Sequence, residues 1–188
     1  MKTALIPIAD GSEELEAVTL ASVLRLAGVQ VTLATVGNKS DRIVTMSRDV
    51  KVQGDVAIED CTDKSYDLIV CPGGVPGAER LRDSKEVVAL LRKQKDDGRW
   101  YGAICAAPAL VLHPHGLLPP GPATCYPNFE STMTGVDYKR EAVVVNGNCV
   151  TSRGPATTMA MAVKLVELLC SREEAQAAAD GLLHTPMP

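Results

Sequence analysis

Residues 100–112 read WYGAICAAPALVL. The apolar run WYGAI stops at Cys105, and a small-residue stretch compatible with a helix, Ala106–Leu112, begins at once. Ala103 and Ala107 stand two positions either side of the thiol. A strand that turns sharply into a helix lifts the residue at the turn clear of the sheet edge and aims helix N–H groups at it. The stretch therefore predicts an α/β fold with Cys105 at a nucleophile elbow. A helix N-terminus there would lower the thiol pKa, and Pro108 suits an early helical turn, where its missing N–H costs little. The competing fate of Cys105 is burial as a small hydrophobe. Cys71, which also closes a strand beside glycines, is the rival thiol.

The same alternation runs outward in both directions. Strands are expected at Thr3–Ala9, Val29–Val36, Leu68–Cys71, Trp100–Ile104 and Cys149–Ser152, mostly continuous aliphatic runs of the kind covered on both faces in parallel sheets. Helices are expected at Glu14–Ala27, Lys85–Lys95, Ala106–Leu112, Ala156–Cys170 and Arg172–Leu183. Repeated right-handed crossovers make this a doubly wound, mostly parallel sheet with helices on both faces. Residues Ile43–Ile58, with IVTM and VKVQGDVAI, read as a small antiparallel excursion, and Ala142–Val145 as another. LLPPGPA is short enough to be a rigid connection, so residues 1–188 are expected to form a single domain.

Ligands of open parallel sheets sit beyond the carboxyl ends of the strands. Four features fall there: Asp10–Glu14, Pro72-Gly73-Gly74, Cys105 and Arg153-Gly154-Pro155. On the first helix the apolar stripe Leu20, Val23, Leu24 and Ala27 extends back one turn to Glu16. A carboxyl on the core-facing stripe must be buried, paired or protonated, and desolvation would raise its pKa into the range of a proton donor or base near neutrality; the alternative is that Glu16 sits at a solvated edge of that face. Glu13 and Glu14 favour the helix N-terminus through its dipole. Gly73 and Gly74 permit close backbone approach and can point N–H groups at an anion, or they form a plain tight turn. Arg48 and Arg153 are candidate pocket cations. The long helix before Cys170 is apolar on two faces, which reads as core packing and an interface.

Composition narrows the function classes. Apolar residues make up 46% of the chain and the net charge is −4, which supports a full core and argues against nucleic-acid or anionic-membrane partners. The N-terminal TALIPIA is too short for a signal segment and leads into acid, and no apolar stretch has spanning length. A soluble, cytoplasmic protein is expected. The six cysteines are too widely spaced for paired zinc or redox motifs. His113 and His115 in VLHPHG are a weak hint, so no metal is expected. There is no G-x-G-x-x-G and no P-loop motif, and no cofactor is expected.

Five motifs, ADGSEELEAV, SRDV, CPGGVPGAE, GAICAAPA and TSRGPAT, resemble in order and spacing those of the ThiJ/PfpI superfamily, and more narrowly its DJ branch. The resemblance implies a flavodoxin-like sandwich, usually a homodimer. It implies an oxidisable nucleophile at Cys105, with Glu16 as the protonated carboxyl bonded to it. Gly74 and Ala106 would offer N–H groups to an oxyanion, and Arg48 would line the pocket near the dimer interface. Members that hydrolyse peptides carry His directly after the nucleophile. Ala106 stands at that position here, which argues against a peptidase. Tyr126, expected in the pocket with Gly73, replaces a His common before the proline of the segment matching TCYP, and its phenol offers a hydrogen-bond donor there. The implied activities are cofactor-free conversion of α-oxoaldehydes such as methylglyoxal, repair of glycated groups, and redox sensing or chaperone action through Cys105.

Overall fold

The computed structural model describes residues 1–185 of the 188. Its strands are β1 (Thr3–Ile8), β2 (Gln30–Thr35), β3 (Ile43–Thr45), β4 (Lys51–Gln53), β5 (Val56–Ala57), β6 (Leu68–Cys71), β7 (Trp100–Ile104), β8 (Pro122–Ala123), β9 (Asp137–Tyr138), β10 (Val143–Asn146) and β11 (Cys149–Ser152). The α-helices are α1 (Glu14–Leu26), α2 (Val75–Asp83), α3 (Lys85–Asp96), α4 (Thr158–Leu169) and α5 (Arg172–Gly181).

Seven strands form the main sheet in the order β10-β11-β7-β6-β1-β2-β5. All neighbours are parallel except β10 and β11. The central strands are apolar along their length, and Leu68–Cys71 is buried at every position, because both faces are covered. On one side α1 packs on α4 and α4 on α5, while α2 packs on α3 and on the segment Pro108–Leu112. The chain leaves β1 toward β2, then returns through β6 to the other flank of β1. That reversal opens a crevice at the carboxyl ends of β1 and β6, where doubly wound sheets bind ligands.

The structure adds one helix to the expected elements and alters three others. The added helix is Val75–Asp83, whose first turn contains Pro76 and Gly77. Pro76 in fact suits an early position that needs no N–H. After Cys105 the chain makes a turn and then a single π-helical stretch, Pro108–Leu112, in place of a regular helix over 106–112. The Ile43–Ile58 excursion is antiparallel only for β3 and β4; Val56–Ala57 joins the main sheet beside β2 in parallel. Pro155–Thr157 forms a 3-10 turn before α4.

Glycines interlock the two loops of the crevice. Glu13 N donates to Gly73 O at 2.9 Å. Gly74 sits at φ +80, and a Cβ there would strike the Gly11 carbonyl oxygen and lie 2.8 Å from Glu13 N. A Cβ on Gly77 would strike the Ser12 backbone. Both close approach and left-handed backbone therefore require glycine at 74. Gly74→Ala is expected to lose about 2–4 kcal/mol of stability, read as a lowered urea midpoint with an unchanged slope.

Candidate active site

Cys105 occupies the turn after β7 with φ +64, a region that costs a non-glycine residue of order 1–3 kcal/mol. Two backbone bonds hold it there: Cys105 N donates to Ser152 O at 3.0 Å, and Tyr126 N donates to Cys105 O at 2.7 Å. The elbow is thus clamped between the end of β11 and the segment following β8. Cys105 keeps 9% of its surface exposed, whereas Cys71 is fully buried. Burial alone pushes the Cys71 thiol up to about 12, so the rival thiol has neither exposed surface nor a polar neighbour that acts on it.

Glu16 lies on the inner face of α1 and is fully buried, as the helical stripe predicts. Its Oε2 accepts from Gly73 N at 2.7 Å, and its carboxyl also bonds the Cys105 thiol. Oε1 is buried and has no hydrogen-bond partner among the described residues. Burial lifts the Glu16 pKa to about 7; the Gly73 N–H lowers it, and the Glu13 charge raises it again. Cys105 is pushed up to about 12, first by burial and then by the Glu16 charge, against the N–H groups of Gly74 and Ala106. The expected acidification by a helix N-terminus is therefore corrected. The stretch beyond the elbow is a single π turn, and two groups competing for negative charge in one buried space hold their second proton tightly.

The glycine pair divides its labour. The Gly73 N–H is already given to Glu16, while the Gly74 and Ala106 N–H groups face the sulfur. A Cβ at position 73 would come within 2.5 Å of the Cys105 Cβ and 2.9 Å of Glu16 Oε2. Arg48 does not reach the thiol in this arrangement. It pairs with Glu13 at 2.5 Å, and Glu13 Oε2 in turn caps α1 by accepting from Glu16 N at 2.8 Å. Glu14 ties the β3–β4 hairpin to α1 through Ser47 Oγ and, at 2.9 Å, Arg48 N. The two glutamates thus cap and anchor, a more specific role than a dipole contact. Tyr126 stands beside the elbow through its backbone bond. Arg153 follows β11 with Nε buried and unpartnered among the described residues.

His113 and His115 approach different carbonyls, those of Thr134 and Arg82, so the two imidazoles do not form a pair of ligands. A cavity of about 270 Å³ between α4 and α5, lined by Val163, Arg172 and His184 among others, lies away from Cys105. No helix among the described residues is long and apolar enough to cross a membrane.

A mostly parallel sheet of this order, with two helical layers and a cysteine at a positive-φ turn after a central strand, defines a flavodoxin-like α/β protein with a nucleophile elbow. The profile of the DJ-1/PfpI family matches residues 2–168, and the chain belongs to that family. It is 46% identical over 170 residues to Protein DJ-1 homolog B of Arabidopsis thaliana, a match covering 90% of this chain but 38% of that relative. The chain thus spans well under half the length of that plant protein. It is 34% identical to a Caenorhabditis elegans protein named glutathione-independent glyoxalase DJR-1.2, with 89% of each chain covered. The solved structure of oxidized Toxoplasma gondii DJ-1 superposes with a TM-score of 0.95 at 41% identity, covering 99% of this chain and 100% of that one.

The raised Glu16 pKa has a consequence for stability. The folded carboxyl holds its proton more tightly than the unfolded one, whose pKa is near 4.5. The native state therefore keeps an extra proton between about pH 4.5 and 7, and stability falls as pH rises through that window. The full penalty above it is about 3 kcal/mol for the shift of Glu16 from 4.5 to about 7. Urea unfolding at pH 5 and pH 8 is expected to show Glu16→Gln gaining on the wild type by up to that amount at the higher pH. A parallel pH dependence in both proteins would show that the carboxyl is not desolvated.

Proposed function

We propose that this chain, acting as one domain, converts α-oxoaldehydes such as methylglyoxal to 2-hydroxy acids without glutathione or another cofactor. The observation that carries the reading is the contact of a buried carboxyl with a thiol that also faces two backbone N–H groups. At neutral pH the resting pair is a mixture in which Glu16 is partly ionised and Cys105 is a thiol. As sulfur attacks the aldehyde carbon, Glu16 accepts the thiol proton, the S–C bond forms, and the carbonyl electron pair moves to oxygen facing the Gly74 and Ala106 amides. Protonation of that oxygen gives a hemithioacetal. Glu16 then carries the proton of the former aldehyde carbon to the neighbouring ketone carbon while the hydroxyl proton of the hemithioacetal passes to the ketone oxygen, so the first carbon is oxidised and the second reduced. The resulting thioester is cleaved by water, which releases the acid and returns the thiol. Glycated amines or thiols derived from the same aldehydes offer the same atoms to the same groups.

The name of the Caenorhabditis elegans relative supports this reaction class. Ala106 supports it from the other side, because no imidazole follows Cys105 to serve peptide hydrolysis. A second reading, redox sensing through Cys105 with an effect on partners or chaperone action, draws on the accessibility of this thiol and on the oxidized state of the Toxoplasma gondii relative. A protonated Glu16 would hold a sulfinate at Cys105 by a hydrogen bond. The six free cysteines fit a reducing compartment, here taken to be the cytoplasm.

A homodimer is proposed through the outer face of α1 and the β3–β4 hairpin. Leu15 is 57% exposed, Val18 48% and Val50 47%, and Glu14 binds the hairpin to the helix, so the apolar surface is shared between the two elements. Exposed apolar groups gathered around charged pairs mark an association surface. Sedimentation velocity is expected to give a dimer that Val18→Glu converts to monomer; a monomeric wild type would refute the surface.

The reaction is tested with purified protein and methylglyoxal. Cys105→Ser is expected to abolish formation of lactate, and Glu16→Gln to lower kcat by about 100-fold or more, the usual weight of a general base. Turnover that is equal in the wild type and Cys105→Ser would remove the proposal. Peroxide treatment followed by mass spectrometry tests the second reading, which fails where another thiol oxidises before Cys105.

A further inference from the structure

Four tyrosines occur in the chain. Tyr66 and Tyr101 are buried, and Tyr138 donates its hydroxyl to Cys125 O at 3.2 Å. Tyr126 differs: its residue is 39% exposed, and its hydroxyl makes no hydrogen bond among the described residues. A single exposed aromatic is ordinary on a protein surface, but the placement of this one is not. Its backbone N–H holds the Cys105 carbonyl, and the ring lies on Gly154, where a Cβ would stand 3.2 Å from Cδ2 and 3.7 Å from Cε2. Gly154 has an extended backbone, φ 163, so glycine is not needed there for its conformation. What its missing side chain provides is room for the ring. Ser152, two residues before, accepts from Cys105 N. The ring thus rests against the loops that supply both backbone partners of the elbow, while 39% of the residue stays exposed.

We propose that Tyr126 is a specificity-determining wall of the Cys105 site, selecting α-oxoaldehydes that carry a flat aromatic substituent over methylglyoxal. The proposal rests on the glyoxalase reading above and adds the substrate class. A methyl group buries little against a phenol ring, whereas an aryl group can stack or meet it edge to face, a gain equivalent to about 3- to 10-fold in rate for a reacting group held beside the ring. The selection comes from the ring and not from the hydroxyl, which is left without a protein partner. Tyr126 takes no part in bond making; Cys105 and Glu16 perform the same steps for either aldehyde.

The test separates recognition from turnover. The rate of Cys105 modification by N-phenylmaleimide, divided by that for N-methylmaleimide, is measured by mass spectrometry of the Cys105 peptide in wild type, Tyr126→Phe and Tyr126→Leu. The intrinsic reactivity of the two reagents cancels between variants. Tyr126→Phe is expected to keep the wild-type ratio, and Tyr126→Leu to lower it about 3- to 10-fold while the methyl reagent reacts at nearly the wild-type rate. An unchanged ratio in Tyr126→Leu overturns the proposal, as does an equal fall in both rates, which would make Tyr126 only a support for the elbow. The ratio of kcat/KM for phenylglyoxal over methylglyoxal is expected to move in parallel. A maleimide ratio that shifts in a protein without Cys105-dependent turnover would leave the aromatic wall standing and count against the glyoxalase reading alone.

Discussion

The site depends on one close approach. Gly73 lacks a side chain where the Cβ of any other residue would meet the Cys105 Cβ, Glu16 Oε2 and, at 3.0 Å, the Cys105 sulfur. The first turn of α1 and the ends of β6 and β7 converge on that missing atom. Once they converge, the Gly73 N–H has one acceptor available, Glu16 Oε2, and the bond fixes which way the carboxyl faces. The other oxygen stays buried without a hydrogen-bond partner among the described residues, and the carboxyl as a whole lies against the thiol. A carboxylate buried with one oxygen satisfied by a single amide is costly to ionise, so its proton affinity rises and the pair with Cys105 becomes the lowest-cost arrangement of charge. Packing at a glycine thus sets the proton chemistry of the nucleophile.

That arrangement is steadied from a distance. Glu13 caps α1, and its proximity raises the Glu16 pKa; the Arg48 guanidinium, paired with Glu13, lowers it. The hairpin that carries Arg48 is held against α1 through Glu14, whose carboxyl stays below its ordinary range: burial raises it, but the Ser47 hydroxyl and the Arg48 backbone outweigh that. The hairpin therefore acts on the thiol by electrostatics through two carboxylates, without contact. An association surface across α1 and the hairpin would place the same relay next to a partner.

Much of this was readable in the order of residues, for physical reasons that differ by element. Strands β1, β2, β6, β7 and β11 announce themselves because a strand covered on both faces must be apolar at every position. Glu16 is visible because a 3.6-residue stripe admits no polar side chain without a reason. Gly73 and Gly74 are visible because paired glycines after a strand imply close approach. Helix α2 was hidden, since Pro76 and Gly77 look like breakers; the first is harmless at an early position, and the second is required by Ser12, a neighbour remote in sequence. The partner of Arg48 and the upward shift of the Cys105 thiol were hidden for a related reason. Both follow from enclosure by distant segments, and local spacing carries no record of it.

The Glu16 carboxyl also links the two functional readings through its proton. As a base in aldehyde turnover, Glu16 must be ionised when sulfur attacks, a form that gains population as pH rises through about 7. As the donor that retains a sulfinate, it must be protonated, a form that gains population as pH falls through the same value. A thiol kept neutral by its surroundings yields a strongly basic and hence strongly nucleophilic thiolate once deprotonated, and the adjacent carboxylate can take that proton only while it is itself empty. Turnover and oxidative retention therefore call on opposite protonation states of one residue. The placement of its pKa close to neutrality is what allows one elbow to serve either chemistry.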